Sequence, residues 1–172
     1  MISNASSLII FGKLNKLEFL YELFGKLVIS QAVYEEVVEN GMKINAPEAM
    51  LIKNQIESGK IIIKKLNQEF QKKAKLLENI YASLDYGESE TIALALEMNE
   101  KDVLIDERVA RNVAKLEGLT PKGSLYVLLI AFKKKKLTEK EIKFLVTEMT
   151  ATKFRLSSEV SNKFWQMFDE LN

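Results

Sequence analysis

The sequence predicts an α/β fold in which a parallel sheet is flanked by helices. Short apolar runs rich in β-branched residues alternate with longer helical segments along the 172 residues, as in chains built from strand–helix units. The hydrophobic fraction of 47% is large enough for one domain with a sizeable core. The chain has only two prolines and shows no internal repeat or low-complexity linker. We therefore expect one core rather than a string of separate domains.

The first half of the chain contains three predicted strands, each followed by helical sequence. Asn4 ends the first strand, and Ser6 or Ser7 then caps a helical stretch that has a break near Gly12. The predicted elements of this half are strands at 1–3, 27–29 and 60–65 and helices at 6–24, 31–40, 47–59 and 68–81.

The second half predicts two further strands and one helix that is apolar on nearly every side, a pattern typical of a helix buried against a sheet. The elements are a turn at 84–87, strands at 103–105 and 119–121, and helices at 88–98, 107–117 and 124–132. Two C-terminal helices follow: Thr138 and Glu141 form a capping box for the first, and the second begins near Ser158. We expect residues 1–135 to form the main domain and residues 136–172 a helical extension packed on it.

The chain contains no histidine and no cysteine, and these absences exclude whole classes of chemistry. A structural zinc site, a Ser-His-Asp triad, a cysteine nucleophile and a histidine general base are all ruled out. Neither G-x-G-x-x-G nor G-x-x-x-x-G-K-[ST] occurs, which disfavours a nucleotide-binding α/β protein. Any chemistry must therefore use carboxylates, hydroxyls, lysines or a hard metal ion bound by oxygen.

Charge and hydropathy favour a cytoplasmic protein without a membrane anchor. The net charge of +1 gives no global basic field. Each lysine cluster is typical of solvated helix and strand ends, and a phosphate-binding role for one or two of them stays open. No apolar run approaches the roughly 20 residues of a membrane span, and the N-terminus lacks the basic region of a signal peptide. The lack of cysteine fits a reducing compartment.

Polar side chains follow the predicted strands at the place where open parallel sheets bind ligands. Asn4 follows the first strand, and Asp106 and Glu107 follow the fourth, so these side chains meet if the two strands are neighbours. Glu36 lies in the helix after the second strand, and Glu88 opens the helix before the fourth. Four separated segments could therefore deliver oxygen ligands to one place, which is the kind of ligand that Mg²⁺ prefers.

Each acid also has an ordinary structural interpretation. Asp106, directly after a strand, could cap the helix that follows, and Glu88 in a first helical turn is favoured by the helix dipole. Glu36 could be a solvated residue among acidic neighbours, and Asp85 and Glu90 are interpreted as turn and surface residues. Taken singly, these residues leave both interpretations open.

Five segments, taken in order and with their spacing, resemble a PIN domain. They are ISNASSLI, VISQAVYEEV, LDYGESETIALALE, VLIDERVAR and GLTPKGSLYVLL. They are most similar to the branch related to VapC-type toxin ribonucleases. The resemblance covers about residues 1–135, and the C-terminal helix pair is also similar to tails in that branch. It implies a PIN-like three-layer α/β/α sandwich with a central parallel sheet of strand order 3-2-1-4-5.

The resemblance also implies a metal-dependent ribonuclease in which acidic residues hold Mg²⁺ or Mn²⁺ over an RNA phosphodiester. Matched position by position, the implied metal ligands are Asn4, Glu36, Glu88, Asp106 and Glu107. The implied catalytic acids among them are Glu36, Glu88 and Asp106. The implied substrate contacts, of which the two arginines could instead brace the acids, are Ser6, Arg108 and Arg111.

The implied partners are an RNA substrate, an antitoxin protein that covers the acidic cleft, and a second copy of the chain in a homodimer. Asn4 stands where the family pattern places its first acid, so the site has one negative charge fewer but keeps an amide oxygen. The alternative function is therefore a catalytically weak or inactive module of the same fold that binds RNA or protein.

Overall fold

The computed structural model describes residues 1–152, 154 and 156–171, and residue 172, the end of the predicted extension, lies outside them. Five parallel strands form one sheet of order β3-β2-β1-β4-β5, which confirms the predicted order. The strands are β1 Ile2–Ser3, β2 Leu27–Ser30, β3 Ile61–Lys64, β4 Asp102–Leu104 and β5 Thr120–Lys122.

Helices connect all the strands. In the described part of the chain they are α1 Ala5–Lys13, α2 Glu18–Phe24, α3 Gln31–Tyr34, a π-helix at Glu35–Asn40, α4 Gly41–Lys43, α5 Pro47–Glu57, α6 Gln68–Ile80, α7 Tyr86–Glu97, α8 Arg108–Leu116, α9 Ser124–Lys133, α10 Glu139–Ala151 and α11 Ser158–Asp169. None of the helices described is long and apolar enough to cross a membrane.

The sheet separates two apolar layers, because successive residues of a strand point to opposite faces. Val103 and Ile105 join the layer formed with α6, α7 and α8. Leu104 between them joins the opposite layer, which contains α1, α2, α5 and α9. This alternation confirms the predicted sandwich of helices on both sides of a parallel sheet.

The predicted first helix is two helices in the structure. Asn15 has a φ of 52°, and this left-handed residue ends the helical run beyond the predicted break at Gly12. Asn4 caps α1, since its Oδ1 accepts a hydrogen bond from the backbone N–H of Ser7 at 3.4 Å. The prediction that Ser6 or Ser7 caps this helix is wrong, because Asn4 is the only residue between the end of β1 and the start of α1.

The predicted helix at 31–40 changes its winding halfway. Ser30 caps α3 by accepting a hydrogen bond from the N–H of Val33 at 3.2 Å, and the π-helix follows at once. A π-helical turn holds an extra residue and is frequent at functional sites. Here the consecutive residues Val37 and Val38 are both buried, whereas Glu36 beside them stays at the surface.

Two later helices begin at residues that differ from the predicted ones. α7 begins before Glu88, because Asp85 closes a reciprocal capping box with it. α8 begins at Arg108, and its N-cap residue Glu107 makes no side-chain capping hydrogen bond. Both differences concern acids of the predicted site, so they bear on its chemistry.

The two C-terminal helices pack on α9. Phe132 of α9 contacts Phe168 of α11, with ring centroids 4.7 Å apart, and Trp165 lies edge-on to the same ring at 5.5 Å. Thr138 and Glu141 form the capping box of α10, which confirms that prediction. The division into residues 1–135 and an extension stays a prediction.

Candidate metal centre

The carboxyl ends of β1 and β4 lie side by side. The backbone N–H of Asn4 donates to the carbonyl oxygen of Leu104 at 3.0 Å. The N–H of Ile105 donates to the carbonyl oxygen of Lys122 on β5 at 2.8 Å. These hydrogen bonds extend the sheet past its strand ends, so the polar residues that follow the strands share one edge.

Asn4, Ser6 and Glu107 form one hydrogen-bonded cluster at this edge. The Nδ2 of Asn4 donates to Oε2 of Glu107 at 2.8 Å, and the hydroxyl of Ser6 donates to Oε1. The Oδ1 of Asn4 caps α1, so both ends of its amide are engaged. An asparagine can hold Glu107 in this way because an amide donates, whereas an aspartate would repel it.

Asp106 is held by serines from two helices. Its Oδ2 accepts from the hydroxyls of Ser7 and Ser124, each at 2.6 Å, and its Oδ1 accepts from the backbone N–H of Ser124 at 2.7 Å. Burial raises the pKa of Asp106, and these three hydrogen bonds oppose that rise. The interpretation of Asp106 as the cap of the next helix is wrong, because its carboxylate caps the start of α9 instead of α8.

Gly123 and Arg111 complete the surroundings of Asp106. A Cβ on Gly123 would lie 3.1 Å from Oδ1 of Asp106 and 3.2 Å from Nη1 of Arg111, so only glycine fits there without a shift. Nη1 of Arg111 donates to the carbonyl oxygen of Ile105 at 2.8 Å, so it contacts the backbone next to Asp106, and its role toward substrate or acids stays a prediction. Arg108 is exposed, and its side chain makes no hydrogen bond or ion pair with any other described residue.

Glu88 is a buried acid with an unusual proton affinity. Its Oε2 accepts from the backbone N–H of Asp85 at 3.0 Å within the capping box, and only 6% of the residue is exposed. Burial raises its pKa to about 7, and the negative charges of Asp85, Glu107 and Glu36 add to the rise, while the Asp85 N–H opposes it. Glu88 therefore lies in the electrostatic field of Asp85, the cap of its own helix, and of acids from two other segments.

Glu36 lies near the same acids, although its residue is exposed at the surface. Partial burial raises its pKa, and the charges of Asp85 and Glu107 raise it further. A Cβ on Gly87 would lie 3.3 Å from Oε2 of Glu36 and 3.4 Å from Oδ1 of Asp85. The π-helix and the start of α7 thus bring two carboxylates against the same glycine.

Glu90 is not a surface residue, and that prediction is wrong. It is 7% exposed, and its Oε2 accepts from the backbone N–H of Ala32 at 2.9 Å. This hydrogen bond joins α7, which carries Glu88, to α3, which leads into the π-helix with Glu36. The burial of Glu90 could have been predicted from the sequence, because the helix around Glu90 is apolar on nearly every side.

Sequence reasoning also missed the supporting roles of Ser7, Ser124 and Asp85. The D-x-x-E spacing of Asp85 and Glu88 is a capping-box signal that identifies Asp85. Ser7 and Ser124 contact Asp106 only through the tertiary fold, so no local pattern reveals them.

The donor set of this edge fits a hard divalent cation. No three acidic side chains in the described ranges lie close enough together to hold a metal ion as they stand. Every candidate ligand, however, offers carboxylate or amide oxygen, the donors that Mg²⁺ and Mn²⁺ prefer. The mutual repulsion of Glu36, Glu88 and Glu107 is also what a cation would relieve.

A comparison with protein families gives one result for nearly the whole chain. The model of the family DUF3368, described as PIN domain, matches residues 1–170. No curated protein and no solved structure matches the chain.

Proposed function

The chain belongs to the PIN-domain family, and from that premise we propose that it is a divalent-metal-dependent endoribonuclease that hydrolyses RNA phosphodiesters. Proteins with PIN domains are generally metal-dependent nucleases. The assignment of Mg²⁺ or Mn²⁺ as the metal, and of Glu36, Glu88 and Asp106 as catalytic acids, is part of the proposal. Asn4 and Glu107 are the further ligands that we assign.

One observation carries the proposal: at a single edge of the sheet, the charge of Glu107 raises the pKa of both Glu36 and Glu88, which lie on other segments. Glu88 lies in the first turn of α7, Glu36 lies on the π-helix and Glu107 follows β4, yet their charges interact. Two carboxylates about 4 Å apart repel by roughly 1 kcal/mol in water-like surroundings and by about 4 kcal/mol at an effective dielectric near 20. A cluster of acids does not stabilise a fold unless a cation compensates the repulsion between them. The cluster therefore supports a metal site.

The chemistry of phosphodiester hydrolysis fits these residues. A bound divalent cation supplies a water of lowered pKa and charge that neutralises phosphate oxygens. Asp106 keeps its place because Ser7 and Ser124 hold its carboxylate. Glu88, with a pKa of about 7, can hold a proton in the metal-free site and release it near neutral pH. Arg108 is exposed beside the acids in sequence and is available for an RNA phosphate.

We further propose that the protein is the toxin of a toxin–antitoxin pair, acts in the cytoplasm and forms a homodimer. The exposed acids Glu36 and Glu107 offer a negatively charged surface that an antitoxin peptide could cover. Exposed apolar side chains such as Leu116 and Phe144 offer surface for a partner chain.

A second candidate function is a non-catalytic module that binds RNA or protein with the same fold. Asn4 favours it, because both ends of its amide are already used within the protein. In this alternative the contacts of Glu107 and Asp106 are purely structural, and a cation adds nothing to them.

Cleavage of a labelled single-stranded RNA distinguishes the two functions. We expect wild-type protein to cleave with Mn²⁺ and not with EDTA. Glu88→Gln should lower the rate by at least about 100-fold, as expected for loss of a catalytic acid. Glu57→Gln, an exposed residue of α5, is the matched control and should cleave like wild type. Cleavage that is equal in both variants or independent of Mn²⁺ would contradict the proposed site.

A further inference from the structure

A cavity of about 280 Å³ opens beside Glu36, between α1, the π-helix and the start of α5. Its apolar lining comes from Ile9, Val37 and Ile44. Ile44 is 78% exposed, which is an unusual position for an isoleucine and places an aliphatic surface at the rim. The cavity thus combines apolar walls with direct contact to an acid of the candidate metal centre.

Glu48 is a buried carboxylate in the lining of this cavity. Its side chain is 7% exposed, and Oε1 lies 3.7 Å from Nζ of Lys13. Oε2 has no hydrogen-bond partner among the described residues. A Cβ on Gly12 would lie only 2.7 Å from the Cβ of Glu48, so α1 and α5 approach closely and hold the stem of the side chain. A buried carboxylate oxygen without a partner costs free energy, so a ligand donor that reached it would stabilise the bound state.

Asn40 adds a second polar group to the same cavity. Its Oδ1 accepts from Nζ of Lys43 at 3.1 Å, and this contact leaves the Nδ2 as a donor. Asn40 and Glu48 together offer a donor and a carboxylate acceptor at the edge of an apolar space.

We propose that this cavity binds one unpaired guanine of the RNA, and this proposal rests on the proposed ribonuclease function. Guanine presents two adjacent donors, N1–H and the N2 amine, beside the acceptor O6. A carboxylate such as Glu48 accepts from both donors, and the Nδ2 of Asn40 suits O6. The apolar walls suit the flat faces of a base. Uracil, cytosine and adenine lack two adjacent donors on this edge.

A neutral base fits the charges of the cavity better than a cationic side chain of a partner protein. Lys13 already places an ammonium group 3.7 Å from Glu48, so a second cation would meet repulsion. Guanine supplies hydrogen-bond donors without adding charge.

Fluorescence anisotropy with short single-stranded RNAs in EDTA tests the proposal without cleavage. The RNAs are oligouridines with one central guanosine, inosine or adenosine. Inosine differs from guanosine only by the missing N2 amine, so we expect binding of the guanosine RNA to be about tenfold tighter. Glu48→Gln should remove the difference between guanosine and inosine. Glu57→Gln, on the exposed side of the same helix, should keep it.

The outcomes separate this inference from the nuclease proposal. Equal affinity of wild type for the three RNAs overturns the guanine site, and this comparison needs no variant to fold. Guanosine selectivity without Mn²⁺-dependent cleavage supports the guanine site and counts only against the nuclease. Mn²⁺-dependent cleavage without selectivity for guanosine supports the nuclease and overturns the guanine site. If a blocked arginine competes with the guanosine RNA better than free guanosine does, the cavity is a cation site and the inference is wrong.

Discussion

Asn4 gives the site a donor where a carboxylate would give a charge. Its Nδ2 holds Glu107 at 2.8 Å, and its Oδ1 caps α1. The asparagine therefore stabilises the metal-free protein, because it lowers the repulsion among the acids around Glu88. A neutral asparagine at this position would also attract a cation less than an aspartate would.

Asn4→Asp should make the metal-free protein less stable and its response to Mn²⁺ larger. The variant loses a hydrogen bond worth about 1 kcal/mol and gains a repulsion of about 1 kcal/mol with Glu107. For a chain of this size, the loss corresponds to a fall in Tm of about 4–8 °C. Thermal unfolding with and without Mn²⁺ measures both effects. The control is Asn54→Asp, at an exposed position of α5. An unchanged Tm and an unchanged Mn²⁺ response would contradict this role of Asn4.

Glu88 should make the stability of the metal-free protein depend on pH. Its pKa of about 7 in the folded protein exceeds the ordinary 4.5, so the folded state binds more protons between these values. Stability therefore falls as the pH rises from about 5 to 8. The Glu88 contribution is about 1–2 kcal/mol after allowance for solvent screening.

Urea unfolding at pH 5 and pH 8 tests this expectation, with Glu88→Gln as the comparison. The variant should lose less stability than wild type between the two pH values, since glutamine does not titrate. The same loss in both proteins would show that Glu88 does not carry the effect.

Single residues show where sequence reasoning works for this site and where it ends. Glu36 and Glu88 could be singled out as candidates because each has a fixed place relative to a strand and a match in the five-segment resemblance; their roles as ligands stay predictions. The hydrogen-bond partners of Asp106 could not be identified from the sequence, because Ser7 and Ser124 lie 99 and 18 residues away from it. Such partners depend on which strands become neighbours.

At the scale of elements, the site depends on how α7 is joined to α3 and the π-helix. Glu90 makes this connection through the N–H of Ala32 at 2.9 Å. Gly87 lets Glu36 approach, because a Cβ there would be 3.3 Å from its carboxylate. The distance between Glu36 and Glu88 is therefore set by contacts between helices.

Glu90→Ala should weaken Mn²⁺ binding about tenfold, because the helix segments that carry Glu36 and Glu88 lose the hydrogen bond that fixes their relative position. It should also lower the free energy of unfolding by about 1–2 kcal/mol, since a half-buried N–H loses its partner. Glu90→Gln keeps an acceptor oxygen and should bind Mn²⁺ nearly as wild type does. Calorimetric titration measures the affinities. If the alanine variant binds Mn²⁺ like wild type, Glu90 has only a structural role.

The existence of the elements could be predicted more readily than their limits. α7 is predicted because apolar residues surround it, but its start depends on the capping box of Asp85. The π-helix could not be predicted from periodicity, because the segment reads as an ordinary helix from Gln31 onward. The burial of both Val37 and Val38 accompanies the wider turn, and burial is a property of the folded chain.

At the scale of the whole molecule, the parallel sheet assembles the site. The order β3-β2-β1-β4-β5 places β1 and β4 together, and the residues after both strands then meet. The alternation of strands and helices, with the resemblance in five segments, was sufficient to predict this order. The same two features were not sufficient to predict the positions of the carboxylates in the metal-free protein, because side-chain rotamers and hydrogen bonds determine those positions.

Anomalous X-ray diffraction from crystals soaked in Mn²⁺ would show whether a divalent cation binds between the acids at the carboxyl edge of the sheet. We expect a manganese peak at the carboxyl edge of the sheet, within about 2.0–2.3 Å of oxygens from at least two of Glu36, Glu88 and Asp106. Crystals of Glu88→Gln should show a weaker peak. A fully soaked wild-type crystal with no peak at this edge, and with the carboxylates still held apart, would exclude a metal site there.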